Sequence, residues 1–171
     1  MAALNRPSTE DFKAQEKLPL VLVLDNVRSG LNVGSVFRTA DAFALNQIIL
    51  CGITAQPPHR EILKTALGST DSVDWAYVED TREAVAQLKE MGYLVYAIEQ
   101  TTQKIWLQDF QPVPAMKYAF VLGNEVDGVD DTVLRICDGA IEIPQFGTKH
   151  SLNIAVAAGI VVWEAARKLL T

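Results

Sequence analysis

Residues 18–25 read LPLVLVLD, a run with no polar face until its final aspartate. A strand built from such a run must be covered on both sides, as in a parallel sheet sandwiched by helices. Further apolar strand runs follow at Gln47–Cys51, Tyr93–Ile98 and Tyr118–Leu122, with shorter ones at Val73–Val78 and Ala140–Ile143. Helical patterns fill the gaps. Asn32 can cap a helix to about Leu45 that puts Val33, Val36, Phe37, Ala40 and Phe43 on one side. A short helix is expected over Glu61–Leu67. Another starts at Asp80 or Thr81, runs through Met91 and stops at Gly92. A last short one runs from Asp130 or Asp131 to Ile136. Thr101 to Ala115 reads as loop, with Trp106, Leu107 and Phe110 as apolar anchors. Strands alternating with helices predict an α/β fold, a mainly parallel sheet flanked by helices.

The chain closes on a helix rich in Ile, Val, Ala and Gly from Ile154 to Trp163, with Arg167 and Lys168 in its last turn. Ser151 is the expected N-cap, and a helix apolar all round is expected to be buried. The 171 residues suit one domain over 18–171 behind a polar lead-in at 1–17. No apolar run approaches the ~18 residues of a membrane span, and the first residues lack a signal-peptide core. The expectation is a cytoplasmic protein without membrane association. Two cysteines far apart and two histidines give no basis for a metal site. The net charge of −6 opposes a broad basic footprint for nucleic acid, though not a local basic patch.

In parallel sheets ligands bind at the carboxyl ends of strands, and three polar clusters fall there. Asn32-Val33-Gly34-Ser35-Val36-Phe37-Arg38-Thr39-Ala40 follows the first strand. Gly34 is expected to let a ligand approach the backbone. Arg38 suits a phosphate, and equally an ion pair with a core carboxylate. Gly123-Asn124-Glu125-Val126-Asp127-Gly128 follows the fifth strand, where Glu125 suits a contact to Arg38 or to a ligand amine. Ile143-Pro144-Gln145-Phe146-Gly147-Thr148-Lys149-His150-Ser151-Leu152-Asn153 follows the sixth. Neither a dinucleotide fingerprint nor a phosphate-binding P-loop is present.

Together the clusters resemble the SpoU/TrmH branch of the SPOUT family of RNA 2'-O-ribose methyltransferases. Asn32–Ala40 is similar to that family's N-x-G-x-x-x-R-T-A, Gly123–Gly128 to its G-x-E-x-x-G, and Ile143–Asn153 to its I-P-M-x-G-x-x-x-S-L-N. Order and separation agree over roughly residues 18–169. Gln145 stands where the family usually has Met, and Ala44 where Gly is common. The resemblance implies a C-terminal trefoil knot that binds S-adenosyl-L-methionine (AdoMet) against the backbone of Gly123, Ile143 and Leu152. It implies a homodimer with active sites at the subunit interface. It assigns catalysis to Arg38, Asn32, Glu125, Ser151 and Asn153, without a metal. The implied reaction methylates a ribose 2'-hydroxyl of tRNA or rRNA, with tRNA slightly favoured by family frequency. The chain leaves no room for the additional RNA-binding domain that relatives often carry. A catalytically idle RNA- or AdoMet-binding protein on the same fold is the competing reading.

Overall fold

The computed structural model describes residues 6–170. Residues 1–5 of the expected lead-in lie outside them. Within the rest of the lead-in, helix α1 (Thr9–Ala14) forms behind a capping box in which Ser8 and Asp11 satisfy each other's backbone N–H groups. Its Phe12 is buried, and α1 contacts α4 (Ser69–Ser72). A polar composition hid this anchor, because one aromatic residue suffices to tie down so short a helix.

The first strand, β1 (Leu18–Asp25), lies inside a seven-stranded sheet whose pairings are all parallel. The other strands are β2 (Leu45–Cys51), β3 (Trp75–Val78), β4 (Tyr93–Ile98), β5 (Ile105–Trp106), β6 (Lys117–Leu122) and β7 (Gly139–Glu142). Their spatial order is β3-β2-β1-β6-β4-β7-β5. Strand residues alternate between faces, and both faces are filled. Leu20, Leu22 and Leu24 point to a core shared with helices α2 (Gly30–Ala42), α3 (Arg60–Ala66) and α7 (Ile154–Leu169). Val21 and Val23 point to a second core with α5 (Thr81–Glu90) and α6 (Asp131–Leu134). All five are fully buried, which is why the run has no polar position. Each such side chain contributes about 1.5–3 kcal/mol by leaving water.

Chain order explains where a crevice opens. From β1 the chain steps outward to β2 and β3, then returns across β1 to build β6, β4 and β7 on the other side. The loops leaving these three neighbouring strands share the carboxyl edge of the sheet, where ligands settle in parallel sheets.

Several local expectations are corrected. The helix after β1 begins at Gly30, and Ser29, not Asn32, caps it by accepting from the Asn32 N–H at 3.2 Å. The side chain of Asn32 is thereby released to the crevice. Likewise Asn153, not Ser151, caps α7, accepting from Ala155 N and Val156 N at 2.9 and 3.3 Å. The stretch taken for loop at 101–115 contains β5 and a 3-10 turn over Leu107–Asp109, and β5 pairs with the outer edge of β7. Finally, α7 is not buried all round: Val156, Ile160 and Trp163 are exposed by 51, 38 and 58%. Spaced i, i+4, i+7, they form one apolar stripe on the protein surface.

Candidate active site

The site begins with how tightly the strand-end loops are tied together. Asn124 and Gly128 exchange backbone hydrogen bonds of 3.0 and 2.9 Å, closing the loop after β6. The Asn124 amide donates to Asn26 O at 2.8 Å, which joins this loop to the one after β1. Glu99, at the end of β4, accepts from Val129 N at 2.9 Å and fixes a third loop to them. A Cβ at Gly123 would meet Gly128 C at 2.2 Å, so this glycine lets the loop close on itself while the residue still lines the pocket described next. Gly34 was expected to let a ligand approach; its missing side chain instead lets α3 approach, since a Cβ would meet Thr65 Oγ1 at 2.2 Å and Ile62 O at 2.3 Å.

Above these loops lies a pocket of about 310 Å³. Its apolar wall includes Ile98, Leu122, Ile143, Leu152, Ile154 and Ala157. Its polar rim includes Glu99, Gln100, Glu125, Glu142, His150 and Ser151. Gln100 donates to His150 O at 2.7 Å and so pins the loop after β7 across the end of β4. Glu142 Oε2 is buried and lies 2.6 Å from Lys104 Nζ, an ion pair at the pocket's polar rim. Glu142 and Lys104 carried no sequence signal, because only the β5–β7 pairing brings them together.

Three of the expected site residues are linked to one another, and one of them, Glu125, lines the pocket. The Asn153 amide donates to Asn32 Oδ1 at 3.1 Å, and Asn32 Nδ2 in turn reaches Glu125 Oε1 at 3.5 Å, the outer limit of a hydrogen bond. One side chain from each of three loops, separated by up to 121 positions, thus forms a polar chain. Ser151 sits exposed beside it, and Gly123, Ile143 and Leu152 line the pocket as expected.

Arg38 does not join them. It is exposed, makes no ion pair or hydrogen bond among the described residues, and lines a separate cleft with Ser35, Thr39, Ala42, Phe43, Lys64 and Thr65. Helical geometry explains the separation: six residues at 100° each place Arg38 about 120° around α2 from Asn32. Neither expected partner of Arg38, a core carboxylate or Glu125, is in contact with it. Among the described residues no three His, Cys, Asp or Glu side chains converge, and no helix is long and apolar enough to cross a membrane.

Comparison with known proteins fits this geometry. The SpoU rRNA Methylase family matches residues 19–163. The 23S rRNA (guanosine-2'-O-)-methyltransferase RlmB of Vibrio parahaemolyticus is 33% identical over 168 residues, covering 98% of this chain and 66% of that enzyme. Among solved structures, an AdoMet-bound rRNA methyltransferase from Sinorhizobium meliloti superposes with a TM-score of 0.83 at 28% identity, covering 94% of this chain and 61% of that one. The A. aeolicus TrmH/SpoU tRNA modifying enzyme superposes with a TM-score of 0.80 at 25% identity, covering 94% and 79%. The chain thus spans about two thirds or less of the two rRNA enzymes.

Proposed function

The chain belongs to the SpoU rRNA methylase family, and from that premise we propose that it transfers a methyl group from AdoMet to the 2'-hydroxyl of an RNA ribose. The observation that carries the reading is the Asn153–Asn32–Glu125 chain, which reaches a strand-end pocket through Glu125. The similar 23S rRNA enzymes weigh against the sequence-based lean towards tRNA, and we take rRNA as the first substrate to test. The cytoplasm, where rRNA is at hand, is the proposed location.

The pocket fits AdoMet on its own chemistry. Its apolar wall suits an adenosyl ring system, and its rim offers carboxylate acceptors at Glu99 and Glu125 for N–H groups. Gly123, Ile143 and Leu152 would hold the cofactor with backbone groups. When bound, AdoMet supplies an electrophilic methyl group on a sulfonium. The protein's share is placement. Ser151 and Asn153 orient the ribose, Asn32 carries the hydrogen-bond chain to Glu125, and Glu125 holds that chain in register. In-line positioning of two reactants can contribute ~7–11 kcal/mol in the best cases. Arg38 clamps the adjoining phosphate and stabilises negative charge developing on the hydroxyl oxygen. A charged guanidinium has no acceptor site for a proton, so the proton passes to phosphate or water.

Arg38 lies outside its own subunit's pocket, so this mechanism calls for a second copy. The exposed stripe of Val156, Ile160 and Trp163 is the proposed seat of a two-fold dimer, with Trp163 against Phe43 of α2 at a ring distance of 6.1 Å. A trefoil knot is also proposed. It is supported by β7 lying between β4 and β5, so that the segment joining β4 to β6 crosses the line of β7. Lys168 of α7 then donates to Gln108 O and Phe110 O of that segment at 2.8 and 2.6 Å.

The test is transfer from labelled AdoMet to unmodified 23S rRNA and tRNA, followed by mapping of the new 2'-O-methyl group. Label in ribose of either RNA supports the reading. Tight AdoMet binding with no transfer selects the catalytically idle alternative, and no AdoMet binding at millimolar concentration defeats the methyltransferase reading.

A further inference from the structure

The cleft containing Arg38 holds a second cation. Gly34 lets α3 cross close over α2, and the Thr65 hydroxyl locks the crossing by donating to Leu31 O at 2.7 Å. The residue before Thr65 is Lys64, which therefore shares the cleft with Arg38, Ser35 and Thr39. On α2 these three recur at i, i+3 and i+4, one face of a helix.

Neither cation is neutralised from within the fold. Among the described residues Lys64, like Arg38, makes no ion pair or hydrogen bond. The two helices carry one acid each, Asp41 and Glu61. Asp41 accepts the Ser72 hydroxyl at 2.5 Å, and Glu61 packs against Gly30 at the start of α2, where a Cβ would lie 2.9 Å from its own. No carboxylate lines the cleft. In a chain with a net charge of −6, two converging cations without a counter-charge mark a local anion site. A guanidinium fork beside a flexible ammonium, with hydroxyls between them, matches the non-bridging oxygens of a phosphate.

We propose that the α2–α3 cleft is a subsite for a phosphodiester of substrate RNA, with Lys64 its second phosphate-binding residue beside Arg38. This deepens the methyltransferase reading and rests on it. Phe43 forms one wall of the cleft and touches Trp163 of the exposed stripe, so the subsite adjoins the proposed dimer face. A chain without a broad basic surface then gains RNA affinity at the place where the target nucleotide must be held.

Lys64→Gln and Lys64→Arg separate the outcomes. RNA binding is measured by titrating 23S rRNA and tRNA transcripts between about 0.05 and about 0.3 M salt. Loss of one phosphate contact should lower the slope of log affinity against log salt by about one. It should weaken binding roughly fivefold at 0.15 M salt, from a slope of ~0.9 per phosphate. Lys64→Arg should restore most of both, while AdoMet affinity and melting temperature stay as in the parent protein. Unchanged slope and affinity in Lys64→Gln would overturn the proposal and leave Lys64 a solvated cation. A Lys64→Gln protein that binds AdoMet but has lost its dimer would overturn it in favour of a second copy seated in the cleft. If the parent protein binds RNA but never methylates it, the catalytic reading fails, and the change in salt slope still decides the subsite.

Discussion

Replacing Arg38 with alanine separates folding from catalysis and also reveals which subunit the arginine serves. The side chain is exposed and has no ion-pair partner among the described residues, so its removal should cost no more than about 0.5 kcal/mol. For a chain of this size that is a shift of about 1–2 °C in melting temperature. Methyl transfer should nevertheless fall by ~10²–10³, the usual loss when a positioned group that meets developing charge is removed. Arg38→Lys should recover little, since an ammonium cannot make the paired contact of the guanidinium fork. The informative assay mixes Arg38→Ala with Ser151→Trp, a substitution that plugs the pocket mouth, and allows subunits to exchange. If Arg38 reaches the partner's pocket, half of the dimers are mixed and each has one complete site. Activity should then return to about one quarter of the parent value, from the statistics of two-fold pairing. If Arg38 serves its own pocket, no mixed dimer contains a complete site and nothing returns. That second result, or a single-subunit mass of 18.8 kDa by light scattering, would refute the shared-site reasoning.

Asn153→Ala removes the N-cap of α7 as well as the contact to Asn32, and should destabilise the protein by about 0.5–2 kcal/mol; a thermal melt indistinguishable from the parent would contradict the capping geometry. Gly34→Ala forces a Cβ to within 2.3 Å of Ile62 O and should cost about 1–3 kcal/mol by prying α3 from α2, read by chemical denaturation. Burial pushes the Cys51 thiol up to about 12 and the Cys137 thiol to about 11, so both should resist alkylation at pH 8 until the protein unfolds. Because folding raises both values above the ordinary 9.0, their contribution to stability is fully present below that pH and is lost as the pH rises towards the folded values. Denaturation midpoints that hold steady from pH 8 to about 11 would show these thiols to be far less desolvated than the fold implies.

Local periodicity made the β1 run, the α/β alternation and most helix boundaries legible, since each depends on residues a few positions apart. The three loop motifs were legible too, as was the membership of Gly123, Ile143, Ser151 and Leu152 in one pocket at the strand ends. Sequence could not tell which of two neighbouring polar residues caps a helix: Ser29 and Asn153 took the places expected of Asn32 and Ser151. That choice matters, because it turns the Asn32 side chain outward to meet Asn153 and Glu125. Nor could it tell what a glycine makes room for. Gly34 read as an opening for a ligand, and in the folded chain it admits α3. Only the sheet order placed β5 beyond β7 and so set Lys104 against Glu142. Only the winding of α2 put Arg38 in a different cleft from the residues it was grouped with, and only the α2–α3 crossing set Lys64 beside it. Each of these outcomes depends on a helix phase or on a contact between residues distant in sequence. Such contacts form when the layers close on one another, and no short stretch of residues carries them.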